Sequence, residues 1–163
     1  SMCMVGVSPA AWERIREVNY QGYDALLPFR DAEEKGLFPY TPNWHGVSAL
    51  SAGCGALLKE GLENVFARHK TCAEMCRKGL TSLGIRLYPR SEDACAPTVT
   101  AALVPDGIAW KEWDSRLRAR GLVCGGDYGC LAGKVFRLGH MGTQAQPYLV
   151  EEALEAIAGA LGR

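Results

Sequence analysis

Val135-Phe136-Arg137-Leu138-Gly139-His140-Met141-Gly142 is the stretch on which the reading of this chain turns. An apolar strand here delivers one guanidinium into a turn flanked by two glycines. Successive side chains of a strand point to opposite faces, so Phe136 and Leu138 pack while Arg137 points out. A guanidinium is permanently charged and planar, with five donors able to grip a carboxylate through two parallel hydrogen bonds. Gly139 and Gly142 let the backbone bend closely around a small ligand. The pattern suggests an anion clamp for a small carboxylic acid. It is equally the pattern of an edge-strand arginine held in a surface ion pair.

Working outward, Leu122-Val123-Cys124 and 134–138 read as two strands around the glycine-rich loop Gly125-Gly126-Asp127-Tyr128-Gly129. Before them, a helix carries Trp110, Trp113 and Leu117 on one face and stops at Gly121. Ile85-Arg86-Leu87-Tyr88 reads as a short strand and 97–104 as a stronger one. A last helix starts near Pro147, with Val150, Leu154, Ile157 and Leu161 facing inward. This order implies an α/β module of the α+β type: a small, largely antiparallel sheet with helices on one face.

The N-terminal part is less regular. Cys3-Met4-Val5-Gly6-Val7 reads as a buried strand, and Ser8-Pro9 as the cap and first residue of a helix. Residues 20–40 hold no sustained period and read as an extended connection. From 43 to 84 runs the longest helical pattern, with Val47, Leu50, Cys54, Leu57, Leu58, Leu62, Val65 and Phe66 recurring at three and four. It continues through Ala73, Cys76 and Leu80 until Gly84. Gly53 and Gly55 each cost about 1 kcal/mol against alanine in a helix, so their presence there suggests close approach of another backbone, within the fold or across a subunit interface.

Composition narrows the function. Eighteen basic and eighteen acidic residues leave the 163-residue chain with a formal net charge of zero. Charges of both signs are interspersed, which argues against a nucleic-acid surface or an anionic-membrane anchor. No apolar run approaches the roughly 18 residues needed to span a bilayer, and the expectation is a soluble, non-exported, cytoplasmic chain. Seven cysteines invite a metal, yet Cys72 and Cys76 lack a second close pair. The cysteines read as reduced thiols, mostly small buried hydrophobes. His69 reads as a surface or interface residue. Cys130 and His140 could form a nucleophilic pair only if the fold made them neighbours.

Several segments together carry a family likeness. Ser8-Pro9-Ala10-Ala11-Trp12-Glu13, Tyr40-Thr41-Pro42, the helix ending in Gly79-Leu80-Thr81-Ser82-Leu83-Gly84, Leu131-Ala132-Gly133-Lys134 and the tail from Val135 occur in order along essentially the whole chain. In that order they resemble the C-terminal part of class V aminotransferases, above all alanine–glyoxylate and serine–pyruvate aminotransferases. The resemblance implies the small C-terminal domain of a pyridoxal 5'-phosphate enzyme at 85–163, a long interdomain helix at 43–84, and a remnant of the large cofactor domain at 1–42. It implies small amino-acid and 2-oxo-acid substrates and a homodimer. It assigns Arg137 to the substrate carboxylate and Thr41 to the phosphate of the cofactor held by the other subunit, although Thr41 before Pro42 also reads as a helix-entry residue. Tyr40 is the adjacent candidate for that phosphate, although relatives place their tyrosine a few residues earlier, where this chain has Phe38. The loop from Gly125 to Gly133 leads to the clamp, with Tyr128 a candidate pocket residue.

In that family a lysine on a Ser-Gly-Ser-x-Lys-like segment holds the cofactor as a Schiff base. None of Lys35, Lys59, Lys70, Lys78, Lys111 or Lys134 has that context. Ser1-Met2 reads as a cloning leader and a start. The expectation is therefore that the parent transaminates, that this chain alone does not, and that it binds no cofactor by itself. The alternative is a free-standing, non-catalytic α/β domain that binds a small molecule or a partner. The long helix and the apolar surface that would meet a large domain predict self-association of the isolated chain.

Overall fold

The computed structural model describes residues 2–163, so the reading of Ser1 lies outside the described residues. The chain divides into two compact units, Ser1–Lys59 and Glu60–Arg163. No helix among the described residues is long and apolar enough to cross a membrane.

In the first unit the expected strand at Cys3–Val7 does not form, and residues 2–6 are exposed. A strand needs a partner to satisfy its backbone groups, and the described residues of this unit contain none. The first helix, α1 (Pro9–Val18), starts as expected. The Ala11 amide donates to Ser8 Oγ at 3.2 Å and Pro9 occupies the first turn. It ends at Asn19, whose φ of 46° places it in the left-handed region. The expected extended connection is partly helical, with a 3-10 turn at Leu27–Phe29 and a single helical turn, α2 (Ala32–Lys35). The next helix, α3 (Trp44–Glu60), is capped by Asn43, whose Oδ1 accepts from the Gly46 amide at 3.0 Å. None of its residues is buried.

The second unit begins with α4 (Leu62–Ser82). The single helix expected from 43 to 84 is thus two, because Gly61 sits at φ +86°, where a right-handed helix cannot continue. Here the three-and-four spacing does find a core: Val65, His69, Cys72, Ala73, Cys76 and Leu80 are buried along one stripe of α4. Strands β1 (Val99–Leu103), β2 (Gly125–Gly126) and β3 (Val135–Gly139) form an antiparallel sheet in the order β1-β3-β2. Arg137 stands opposite Ala101 on one side and Gly125 on the other. Two strand expectations are corrected. Residues 85–88 contribute only a single bridge, Leu87 to Ala102, and the strand expected at Leu122–Cys124 pairs instead at Gly125–Gly126.

Helices α5 (Trp110–Arg118) and α6 (Pro147–Ala160) complete this unit. Trp113, Leu117, Phe136, Leu80 and Ile157 are fully buried, and Trp113 meets Phe136 edge-on at 6.0 Å. Each such side chain contributes roughly 1.5–3 kcal/mol by leaving water. Where α4 meets α6, a Cβ on Gly79 would lie 2.3 Å from Leu154 Cδ1. Gly79 is thus tight against a side chain, whereas the close backbone approach expected at Gly53 and Gly55 is not met among the described residues of this chain. Nothing stands within 4 Å of a Cβ built on either of the other two.

Candidate functional site

Phe136 and Leu138 are buried and Arg137 between them is half-buried, as strand alternation requires. The guanidinium reaches over β2. Its Nη2 donates to the Gly126 carbonyl at 2.8 Å and its Nε to the same oxygen at 3.3 Å. Of the two glycines of β2, Gly126 is the crowded one, and its neighbour is Trp110 rather than Arg137. A Cβ at Gly125 would stand 3.6 Å from Arg137 Nη2, and one at Gly126 would stand 2.9 Å from the Trp110 ring. The Tyr128 ring covers the guanidinium, with the Arg137 Cζ 5.8 Å from the ring centroid. Among the described residues no acidic side chain pairs with Arg137, and its Nη1 makes no hydrogen bond. The surface ion pair is therefore not formed. The cation is anchored by one edge and presents the other, Nη1 with the second Nη2 hydrogen, to whatever approaches. That edge matches a carboxylate.

The turn after β3 is fastened from α4. The Gly142 amide donates to His69 Nε2 at 3.0 Å, so the proton of that ring lies on Nδ1, which donates to the Val65 carbonyl at 2.7 Å. Arg68 Nη1 donates to the carbonyls of Gly142 (2.7 Å) and Ala145 (2.9 Å), while its other nitrogens bind both oxygens of Glu60 at 2.7 and 2.9 Å. This pairing with Arg68 holds the Glu60 carboxyl below its ordinary range. His69 is thus a buried structural residue and not the surface or interface residue expected. Sequence reasoning missed Arg68 and His69 as partners of this turn. Their only signal was the position of His69 on the apolar stripe of α4.

His140 is also buried, with Nε2 2.8 Å from Thr100 Oγ1 and no partner for Nδ1. Burial pushes its pKa down, and the nearby Arg77 and His69 add to this. A ring held neutral against Thr100 does not serve Cys130, which is exposed, so the Cys130–His140 pair is not formed. The cysteines divide in a way the sequence did not show. Cys72, Cys76 and Cys124 are buried, Cys95 is half-buried, and Cys3, Cys54 and Cys130 are exposed. Burial pushes the Cys124 thiol up to about 12. No group of three or more metal-binding side chains occurs among the described residues.

The other candidates lie in the first unit. Tyr40 packs against Tyr23 in a tilted pair with ring centroids 4.5 Å apart, and its hydroxyl donates to the Tyr23 carbonyl. Thr41 is exposed beside Phe38, Pro39 and Pro42 in an open depression. Its hydroxyl makes no hydrogen bond among the described residues. Because Asn43 caps α3, Thr41 is not needed for helix entry.

No family model matches the chain. It is 34% identical over 165 residues to the pyridoxamine–pyruvate transaminase of Mesorhizobium japonicum, covering 98% of this chain and 42% of that protein. The fold agrees with the crystal structure of pyridoxamine–pyruvate aminotransferase from Mesorhizobium loti at a TM-score of 0.89 and 32% identity, over 96% of this chain and 41% of that one. The chain belongs to the class V aminotransferases. It matches their C-terminal part and spans about 42% of the length of that first relative. A serine–glyoxylate aminotransferase of Methylorubrum extorquens is 36% identical over 126 residues, which is 77% of this chain and 30% of that aminotransferase. The small antiparallel sheet with its helices is the C-terminal domain of these aminotransferases.

Proposed function

We propose that this chain is the substrate-clamping part of a cytoplasmic, homodimeric, pyridoxal-phosphate-dependent aminotransferase. The parent moves an amino group between a small donor, such as alanine or serine, and a 2-oxo acid, glyoxylate or pyruvate. One observation carries the reading. Arg137 is anchored on the Gly126 carbonyl at one edge and left without an acidic partner at the other. A preorganised guanidinium loses little freedom when it binds a carboxylate, so it can fix the acid end of both substrates.

The residues in hand fit the cofactor through Thr41. Its exposed hydroxyl is free to donate to the phosphate of the cofactor in the other subunit, while the hydroxyl of the adjacent Tyr40 is bound to Tyr23. The bound cofactor supplies an electron sink at the carbon that exchanges nitrogen. Arg137 binds and orients the acid so that this carbon meets the cofactor. On this reading residues 1–163 by themselves do not transaminate, since no lysine lies in the Ser-Gly-Ser-x-Lys setting.

The full-length gene product tests the proposal. It should show a visible absorption band from bound cofactor and transfer amino groups to glyoxylate or pyruvate from alanine, serine or pyridoxamine. Full-length protein that binds no cofactor and transfers nothing with any of these donors would return the chain to the reading of a non-catalytic binding domain.

A further inference from the structure

Arg137 is flanked by an aromatic ring that its anchoring does not require. Gly126 provides the carbonyl, and Tyr128, two residues on, lays its ring over the guanidinium at 5.8 Å. The loop is set to do this. Asp127 Oδ1 accepts from the Tyr128 amide at 2.9 Å, and the chain then turns away through Gly129 at φ +58°. Yet the Tyr128 side chain is 80% exposed, its hydroxyl has no partner among the described residues, and it supports no part of the core. A carboxylate on the open edge of Arg137 lies in the guanidinium plane, which places its carbon skeleton just beyond that edge. Tyr128 closes one side of the plane.

We propose that Tyr128 is a specificity-determining wall that limits the size of the 2-oxo acid accepted at Arg137; this rests on the reading of Arg137 as the carboxylate clamp. The apolar ring face packs against the short skeleton of glyoxylate or pyruvate and denies room to longer chains. The phenol oxygen plays no part in this selection. Truncating the ring opens the pocket on the side of the guanidinium that the ring now covers.

The test uses the full-length, cofactor-loaded protein with whichever of alanine, serine or pyridoxamine is its best amino donor. kcat/KM is measured for glyoxylate, pyruvate, 2-oxobutyrate and phenylpyruvate in the parent and in Tyr128→Ala, Tyr128→Phe and Arg137→Met. One methylene in a pocket changes kcat/KM by about 10- to 200-fold. Tyr128→Ala should therefore raise the ratio for 2-oxobutyrate over glyoxylate by about tenfold or more, and Tyr128→Phe should leave it within about twofold. A wild-type ratio in Tyr128→Ala overturns the inference, as does an equal change in Tyr128→Phe. Arg137→Met separates the two claims. If it leaves the KM for pyruvate unchanged, the clamp itself fails. If it raises that KM while Tyr128→Ala keeps the ratio, only the wall fails. Circular dichroism on each variant confirms folding.

Discussion

Arg137 differs from an ordinary surface arginine in where its hydrogen bonds go. Two of its N–H groups are committed to one backbone carbonyl, and no carboxylate of the described residues competes for the rest. Lysine would keep the charge but lose the fork, along with both bonds to Gly126. Hydrogen bonds to charged groups contribute about 1.5–3 kcal/mol each. Arg137→Lys in the full-length protein should thus raise KM for the 2-oxo acid by about 10- to 100-fold, with the cofactor absorption band intact. Initial rates against oxo-acid concentration check this, and an unchanged KM would remove Arg137 from the site. His140 supports a different measurement. Its pKa is depressed by burial from 6.5, so the unfolded chain binds the extra proton first as pH falls. The stability from the neutral ring is fully present above pH 6.5 and is lost progressively below it. Urea midpoints of the chain should fall between pH 7.5 and pH 5, with a shallower fall in His140→Asn. Equal slopes in the two proteins would show that another group governs the acid limb.

At the scale of elements, α4 packs closely on α6 at Gly79. A Cβ there would lie within 3.0 Å of three atoms of the Leu154 side chain. Overpacking of this kind costs typically about 1–3 kcal/mol. Gly79→Val should destabilise the chain by that amount, and Leu154→Ala in the same molecule should recover part of the loss, a coupling read from a double-mutant cycle of urea midpoints. In contrast, Gly53→Ala and Gly55→Ala meet nothing within 4 Å and should each stabilise α3 by up to about 1 kcal/mol, visible as added helical ellipticity. These contrasts show what the sequence could reveal. The strand carrying Arg137 was legible because Phe136, Arg137 and Leu138 alternate. The helix at Pro9 was legible from its own cap. Cys3–Val7 and Ile85–Tyr88 were not, because a strand depends on a partner that local sequence does not name. The break at Gly61 was hidden inside an unbroken apolar period, and the period could not say that its first half stays exposed. At the candidate site, the arginine stood out, whereas its Gly126 anchor depends on a register between β2 and β3 that only the fold supplies.

For the molecule as a whole, the unburied half of that period carries a consequence. α3 spans 17 residues, about 25 Å at 1.5 Å per residue. Along it Trp44, Val47, Leu50, Leu57 and Leu58 are exposed, with Trp44 at 63% and Leu58 at 71%. A soluble monomer seldom leaves apolar patches of more than a few hundred Å² open to water, and stable association needs roughly 1,200 Å² of total buried surface. At the 10–12 Å width of a helix this face covers roughly 250–300 Å² in each chain, a patch of the size that marks an interaction site, so it supplies part of such a contact. The isolated chain should therefore self-associate, with a sedimentation coefficient that rises with protein concentration over the micromolar range. Replacing Val47 and Leu58 with glutamate adds charge to the exposed helix and removes no core contact, since neither side chain is buried. That double variant should sediment as a monomer with its helical signal intact. A parent chain that stays monomeric at the highest concentration would show that the α3 face is tolerated in water. A variant that still associates would place the contact outside α3, on other exposed apolar side chains such as Tyr23, Leu37 or Phe66.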